Sequence, residues 1–295
     1  MAPRPQILDS RPCWCGSCAL RPVFRTARFG LVRCAACGTY RTDPPPILGE
    51  EATADFYSRY YVRVPGSLGT GREDPPRGSR FWNVVAQYPP VGVAAGSATD
   101  IGCGEGGLCR ELVDVGWNPV QGIDISRPRI ERARGRYPAI RFYDVPIAMT
   151  DIPPGSQHLI VMDNLIEHVA DPLEYLRGLG GYLAPGGSLV LITPNMNSGQ
   201  FRLLGRRWTP ELAPHVHVFL FTGEALAHLA VRAGFRVRAQ GNFQMRNYTL
   251  GELKDSYVRG GPKGLLFSLA MYAGGAWARV VRSGPMIYVI AQPEA

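Results

Sequence analysis

Three glycines constrain this chain more than any other feature. Gly102, Gly104 and Gly107 fit G-x-G-x-x-G. They follow a short strand segment, Ala98-Thr-Asp-Ile101, and precede an amphipathic run from Leu108 to Val115 that Gly116 stops. A glycine loop between strand and helix lets the backbone approach a ligand closely. Asp124 lies 20 residues beyond Gly104, at the end of the next expected strand, Pro119 to Ile125. An acid there can accept from ribose hydroxyls.

The alternation continues. A helix is expected over Arg127–Arg136, and strands over Ile140–Val145, His158–Asp163 and Ser188–Thr193. A helix over Pro172–Leu183 and a Pro185-Gly-Gly187 turn separate the last two strands. The segment His158–Asp163 is nearly all apolar, as a strand covered on both faces should be. Strands alternating with helices imply an α/β fold, a doubly wound, Rossmann-like parallel sheet. Thr222 is placed to cap a helix that Gly234 ends, and strands follow over Phe235–Ala239 and Ile287–Ala291.

The loop alone favours neither NAD nor S-adenosylmethionine (SAM). Charge separates them. Asp100 stands just before the first glycine and Glu105 inside the loop. A pyrophosphate would be repelled by both, whereas SAM carries an ammonium and a sulfonium and no phosphate.

Four segments now resemble class I SAM-dependent methyltransferases: Asp100-Ile-Gly-Cys-Gly-Glu-Gly, Gly122-Ile-Asp-Ile-Ser126, Val161-Met-Asp-Asn-Leu-Ile-Glu-His-Val169 and Leu183-Ala-Pro-Gly-Gly187. The resemblance covers about residues 80–240. It implies a seven-stranded sheet with the last strand antiparallel, and SAM bound across the carboxyl ends of strands one to four. Asp100, Gly102 and Gly104 would line the site, and Asp124 would hold the ribose diol. Ile125 would pack on the adenine, with Asp144 and the Val145 N–H at the adenine edge. Asp163 would lie near the methionine moiety, and Glu167-His168 beside the cofactor.

Cysteine placement defines a second unit. Five of the seven cysteines lie between Cys13 and Cys37. Cys15, Cys18, Cys34 and Cys37 fit C-x2-C-x15-C-x2-C, the spacing of a four-thiolate structural zinc site. Cys13 is the alternative to Cys18. A unit of about 45 residues is too small to be stable alone, so a metal is its natural staple. Residues 1–46 therefore form the expected zinc ribbon, ended by Asp43-Pro-Pro-Pro46. Residues 47–96 form an aromatic and helical cap, with a helix expected over Ser79–Tyr88. Residues 97–295 form the main domain, with a helical insertion at about 243–285.

Methyltransferases with an N-terminal zinc ribbon resemble sugar C-methyltransferases and other tailoring enzymes. Those sugar enzymes carry His-Glu-His-aromatic after the fifth strand, where the second His and the Glu serve proton transfer. Here the matching run is His215-Val216-His217-Val-Phe219. His217 remains and the Glu is lost. The resemblance thus makes His217 the candidate base, with His168 and His215 as the other catalytic candidates.

The expected activity is O- or C-methylation of a sugar, glycan precursor or small secondary metabolite. A net charge of +8, with all but two of the 32 basic residues arginine, admits a rival: an RNA methyltransferase gripping RNA through its ribbon. Nucleic acid is not favoured, because Asp163-Asn-Leu-Ile-Glu-His replaces the Asn-Pro-Pro-aromatic element of base-amine methylation. A non-catalytic SAM-binding module is the second rival.

The sequence has no run of the roughly 20 apolar residues that a membrane span needs, and its start lacks a secretory h-region. The uncharged stretch Gly264–Ala278 suits a core, lid or oligomer-contact helix better than a peripheral membrane contact. The expected location is the cytoplasm, since clustered cysteines suit a reducing compartment.

Overall fold

A computed structural model describes residues 11–46 except 28, 96–207, 212–243 and 283–294, with Leu269, Ala273 and Trp277 as isolated helical positions. All but the last residue of the expected cap over 47–96, including its Ser79–Tyr88 helix, and nearly all of the 243–285 insertion lie outside the described residues.

The main sheet begins with β4 (Ala98–Ile101), which enters the glycine loop and then α1 (Gly107–Asp114). β5 (Val120–Ile123), α2 (Arg127–Arg136) and β6 (Arg141–Tyr143) follow. Then come β7 (Gln157–Asp163), α3 (Pro172–Gly180) and β8 (Leu183–Pro194). After the short helix α4 (Gly199–Leu204) and strand β9 (Phe219–Leu220), α5 (Gly223–Arg232) leads to β10 (Phe235–Phe243) and β11 (Met286–Pro293). Seven strands pair in the order β10-β11-β8-β7-β4-β5-β6. The five central and outer strands from β8 to β6 run parallel, and β11 is antiparallel to both of its neighbours.

Alternation along the central strands builds two cores. Ile160 and Met162 of β7 and Leu189 and Leu191 of β8 face one side, with Leu176 of α3 and Leu226 and Leu229 of α5. Leu159 and Val161, with Val190 and Ile192, face the other, against Leu112 of α1 and Ile130 of α2. Successive strand side chains point to opposite faces, so a strand covered on both sides must be apolar throughout. Strand order reverses between β7 and β5 about β4. That switch point opens a crevice at the strands' carboxyl ends.

The ends of some elements differ from expectation. The helix before β8 stops at Gly180, and β8 starts at Leu183. The Pro185-Gly-Gly187 segment is therefore an irregularity inside a paired strand, where the register against β7 shifts. At Gly187 a Cβ would lie 2.7 Å from the Gln157 carbonyl oxygen, so only glycine permits that approach. Thr222 caps α5 as expected, accepting from the Ala225 N–H at 3.2 Å.

A second sheet carries the cysteine-rich unit: β1 (Leu20–Arg25), β2 (Gly30–Cys34) and β3 (Tyr40–Asp43). Its fourth strand is β9, contributed by the main domain. Tyr40 pairs with Leu220 and Arg41 with Phe219. The Thr42 N–H donates to the Val218 carbonyl at 3.2 Å, and its hydroxyl donates to the His217 carbonyl at 2.8 Å. The small unit shares an apolar core as well: Cys13, Cys34 and Cys37 pack with Val218, Phe219 and α5. Among the described residues no helix is long and apolar enough to cross a membrane.

Candidate functional site

Asp124 fixes the glycine loop. Its Oδ2 accepts from the Gly104 N–H at 2.9 Å and its Oδ1 from the Ser126 N–H at 2.8 Å. The Gly102 and Cys103 N–H groups donate to the Ile123 carbonyl at the end of β5. Gly104 itself has φ +57, a left-handed conformation that side-chain-bearing residues rarely take. A carboxylate offers about four lone-pair positions, so Asp124 retains acceptor capacity for a ribose.

Two more carboxyl groups join it. Asp100 is buried, and burial followed by the charge of Asp163 pushes its pKa well above the usual carboxylate range. Burial raises Asp163 to about 6, opposed by the Asn164 amide that donates to it at 2.8 Å. Ile125, next to Asp124 in the chain, is exposed. Three acids, an exposed aliphatic side chain and an open glycine backbone fit a cationic nucleoside such as SAM.

Some expected contacts are arranged differently. Glu105 points away from the loop's mouth and pairs with Arg132 at 2.9 Å and Arg136 at 3.4 Å. Asp144 accepts from Arg134 at 3.1 Å on the rim of α2, with half-buried Val145 beside it. An adenine contact there would have to share the carboxylate with that arginine. Arg129 is a residue that sequence reasoning missed. Its guanidinium lies 3.6 Å from Asp124, and a Cβ on Gly104 would sit 2.1 Å from its Nη2. The third position of a helix that starts just after the acid was the available signal.

A second group of side chains meets beyond the end of β7. A 3-10 turn, Ile166–His168, buries Glu167 completely. Glu167 Oε2 accepts from the Thr193 hydroxyl at 2.9 Å, and Oε1 lies 4.0 Å from His217 Nε2. Burial raises the Glu167 carboxyl to about 8 and lowers His168 to about 4, so both are neutral near pH 7. His168 Nδ1 lies 3.1 Å from the Val216 carbonyl, and its ring meets that of His217 edge-on at 4.7 Å. The Val218 N–H donates to the Glu167 carbonyl at 2.8 Å, joining this turn to β9.

His215 behaves differently. Residues 214–216 form a turn rather than an extended strand, so simple alternation does not apply, and His215 is exposed while His217 is buried. The carboxylate that does approach His217 is that of Glu167, at 4.0 Å.

The cysteine cluster also departs from the symmetrical spacing. Sulfurs of Cys13, Cys15, Cys34 and Cys37 all lie within 4.8 Å of one another, whereas Cys18 is exposed and outside the group. Cys13 therefore takes the place expected of Cys18. The reason is local. The Cys13 N–H donates to the Ser17 carbonyl and the Gly16 N–H to the Cys13 carbonyl, which turns Cys13 and Cys15 inward. Cys18 then leads outward into β1.

Pairs Cys13–Cys37 and Cys15–Cys34 are 3.6 and 3.7 Å apart. Zinc–sulfur bonds of about 2.3 Å in a tetrahedron put sulfurs about 3.8 Å apart. The Cys13 S–H holds Cys37 down to about 4, and the same contact pushes Cys13 far up. Crowded thiols of this kind suit Zn2+, which these four residues would hold.

Two outcomes are expected. Asp124→Ala should weaken SAM binding by about 1.5–3 kcal/mol through lost charged hydrogen bonds, read by calorimetry on a folded variant. Unchanged affinity, or tight NAD binding by the parent, would contradict the site. Elemental analysis should find the cysteine-site zinc lost in Cys13→Ser and kept in Cys18→Ser; the reverse pattern would restore the symmetrical ligand set.

A family described as "Methyltransferase domain" matches residues 83–240. An uncharacterized 37.1 kDa protein in a transposon of Streptomyces fradiae is 32% identical over 151 residues, 48% of this chain and 44% of that protein. A ubiquinone biosynthesis O-methyltransferase of Psychrobacter arcticus is 28% identical over 157 residues, 49% of this chain and 61% of that enzyme. The chain thus spans less than two thirds of either relative's length. A solved structure of Haemonchus contortus phosphoethanolamine N-methyltransferase 2, with phosphomonomethylethanolamine and S-adenosylhomocysteine, has a TM-score of 0.59 at 14% identity. That match covers 84% of this chain and 61% of the other, and it is a likeness of fold. The chain belongs to the methyltransferase-domain family, with a class I SAM-dependent methyltransferase fold and an N-terminal four-cysteine cluster.

Proposed function

We propose that the protein methylates a small hydroxyl-bearing molecule, such as a sugar, a glycan precursor or a secondary metabolite, with SAM as donor. One observation carries the reading: the cluster of Glu167, His168 and His217, whose first two members follow the β7 end that carries Asp163 while His217 joins them from beside β9. The ubiquinone biosynthesis O-methyltransferases among the relatives support oxygen as acceptor over carbon. SAM supplies an electrophilic methyl group on a sulfonium.

The protein's own residues then have two tasks. Asp100, Asp124 and Asp163 hold and orient the donor, with Gly102 and Gly104 keeping the backbone close. The histidine cluster receives the acceptor's hydroxyl and handles its proton. His217 is the candidate proton acceptor, with Glu167 Oε1 4.0 Å from its Nε2. His168 is held as a neutral ring against the Val216 carbonyl and orients its neighbour. Positioning does much of the work in such a transfer, because a bound pair needs no further ordering to react.

RNA methylation is less well supported. Asp163-Asn-Leu-Ile-Glu-His follows β7 in place of the Asn-Pro-Pro-aromatic element of base-amine methylation.

His217→Ala should lower kcat by about 10²–10⁴ while SAM affinity stays within a few-fold. Exposed His215→Ala should change kcat only a few-fold. Turnover of labelled SAM against hydroxylated metabolites would read both. Near-normal turnover by the His217 variant would remove the cluster from the chemistry.

A further inference from the structure

We infer that Glu167, His168 and His217 form a second metal site, one that takes a divalent first-row transition ion and presents it to the acceptor's hydroxyl. The inference rests on the methylation reading above for its role, but not for its geometry.

The donor set comes first. One ligand atom from each of the three residues lies within 4.8 Å of the others. Two imidazoles and one carboxylate suit zinc, iron, cobalt, nickel or manganese. Magnesium and calcium prefer oxygen alone. Three protein ligands leave coordination positions open for a substrate oxygen.

The outer contacts are those of a built site. Metal-binding imidazoles usually give their other N–H to a carbonyl or carboxylate, and ligating carboxylates are themselves hydrogen-bonded. His168 Nδ1 is 3.1 Å from the Val216 carbonyl, which leaves the lone pair on Nε2. Glu167 Oε2 is held by the Thr193 hydroxyl at 2.9 Å. The other oxygen, Oε1, is buried, has no hydrogen-bond partner and lies toward His217. Glu167 is 0% exposed, so water does not satisfy that oxygen from the surface. Leaving a buried acceptor unsatisfied costs about 1–3 kcal/mol, and a cation would remove that cost.

The backbone holds the three residues in register. Val218 N–H to Glu167 carbonyl ties the turn to β9, and Thr42 ties His217 to β3. Such a cluster is stiff enough to impose a coordination geometry.

The chemistry closes. The ion binds the acceptor's oxygen and lowers its pKa, and the hydroxyl proton leaves to solvent. The oxygen then bonds to the methyl carbon as the carbon–sulfur bond breaks, and the donor departs as a neutral thioether. One proton is released per methyl transferred. In this loaded state His217 is a ligand, and the ion takes over the task of making the oxygen nucleophilic.

The test uses the full chain with one equivalent of zinc in the cysteine cluster. Titrated Co2+ should bind as one further equivalent, with visible bands of nitrogen and oxygen coordination and no thiolate charge-transfer band. Glu167→Gln and His168→Ala should lose that equivalent while keeping the cysteine-site zinc and SAM affinity, which together report folding. Thr193→Ala, which removes only an outer contact, should weaken Co2+ by about 10–100-fold. A zinc-loaded parent that takes no further Co2+ overturns the inference, as do variants that bind it like the parent. If the parent takes no second ion yet His217→Ala still abolishes turnover, the ion falls and the base reading stands. If the ion binds but no hydroxyl compound is methylated, the site stands and the proposed function falls.

Discussion

The meeting of Glu167, His168 and His217 depends on one short strand pairing. β3 of the cysteine unit and β9 of the main domain exchange backbone hydrogen bonds over Tyr40–Leu220 and Arg41–Phe219. Thr42 extends the contact with two more, to the carbonyls of His217 and Val218. Two residues of β9 would form no stable strand alone. Docked on a sheet whose far end is gathered by four cysteines, they carry His217 to Glu167. The small unit is therefore part of the scaffold that holds His217 beside Glu167, and a metal held by its four cysteines would stiffen that scaffold.

The donor side has a different logic. Asp124 serves the backbone before it serves any ligand, because Gly104 and Ser126 both donate to it. Burial disfavours ionisation of Asp100 and Asp163, and a cation beside them would offset that cost. Arg129 is the counterweight. Its guanidinium lies across Gly104, close to Asp124, so a cationic ligand entering the crevice meets a charge of its own sign. A ribose diol at Asp124 would have to share the carboxylate with that guanidinium.

The parts legible in the sequence are those whose geometry is written locally. The glycine loop, the cap at Thr222, the α2 span and the all-apolar β7 each follow from neighbouring residue types. The turn around Cys13–Ser17 is local too, but two matching C-x2-C pairs suggest a symmetry that its hydrogen bonds break, so Cys13 replaces Cys18. Pro185-Gly-Gly187 reads as a turn by composition, yet strand pairing to β7 draws it into β8. Glu167 is visible only as a neighbour of His168. Its meeting with His217 depends on the turn over 214–216 and on β9, which are tertiary facts. Arg129 likewise declares itself only once α2 is laid beside the loop.

The dependence of the reaction centre on the cysteine unit is best tested by amide hydrogen exchange on the full chain, before and after chelation of the cysteine-site metal. Exchange should speed up in residues 13–43 and also in residues 216–221, while β4, β5 and β7 keep their protection. If chelation loosens residues 13–43 and leaves 216–221 as protected as before, the two units are independent and the account of the site is wrong.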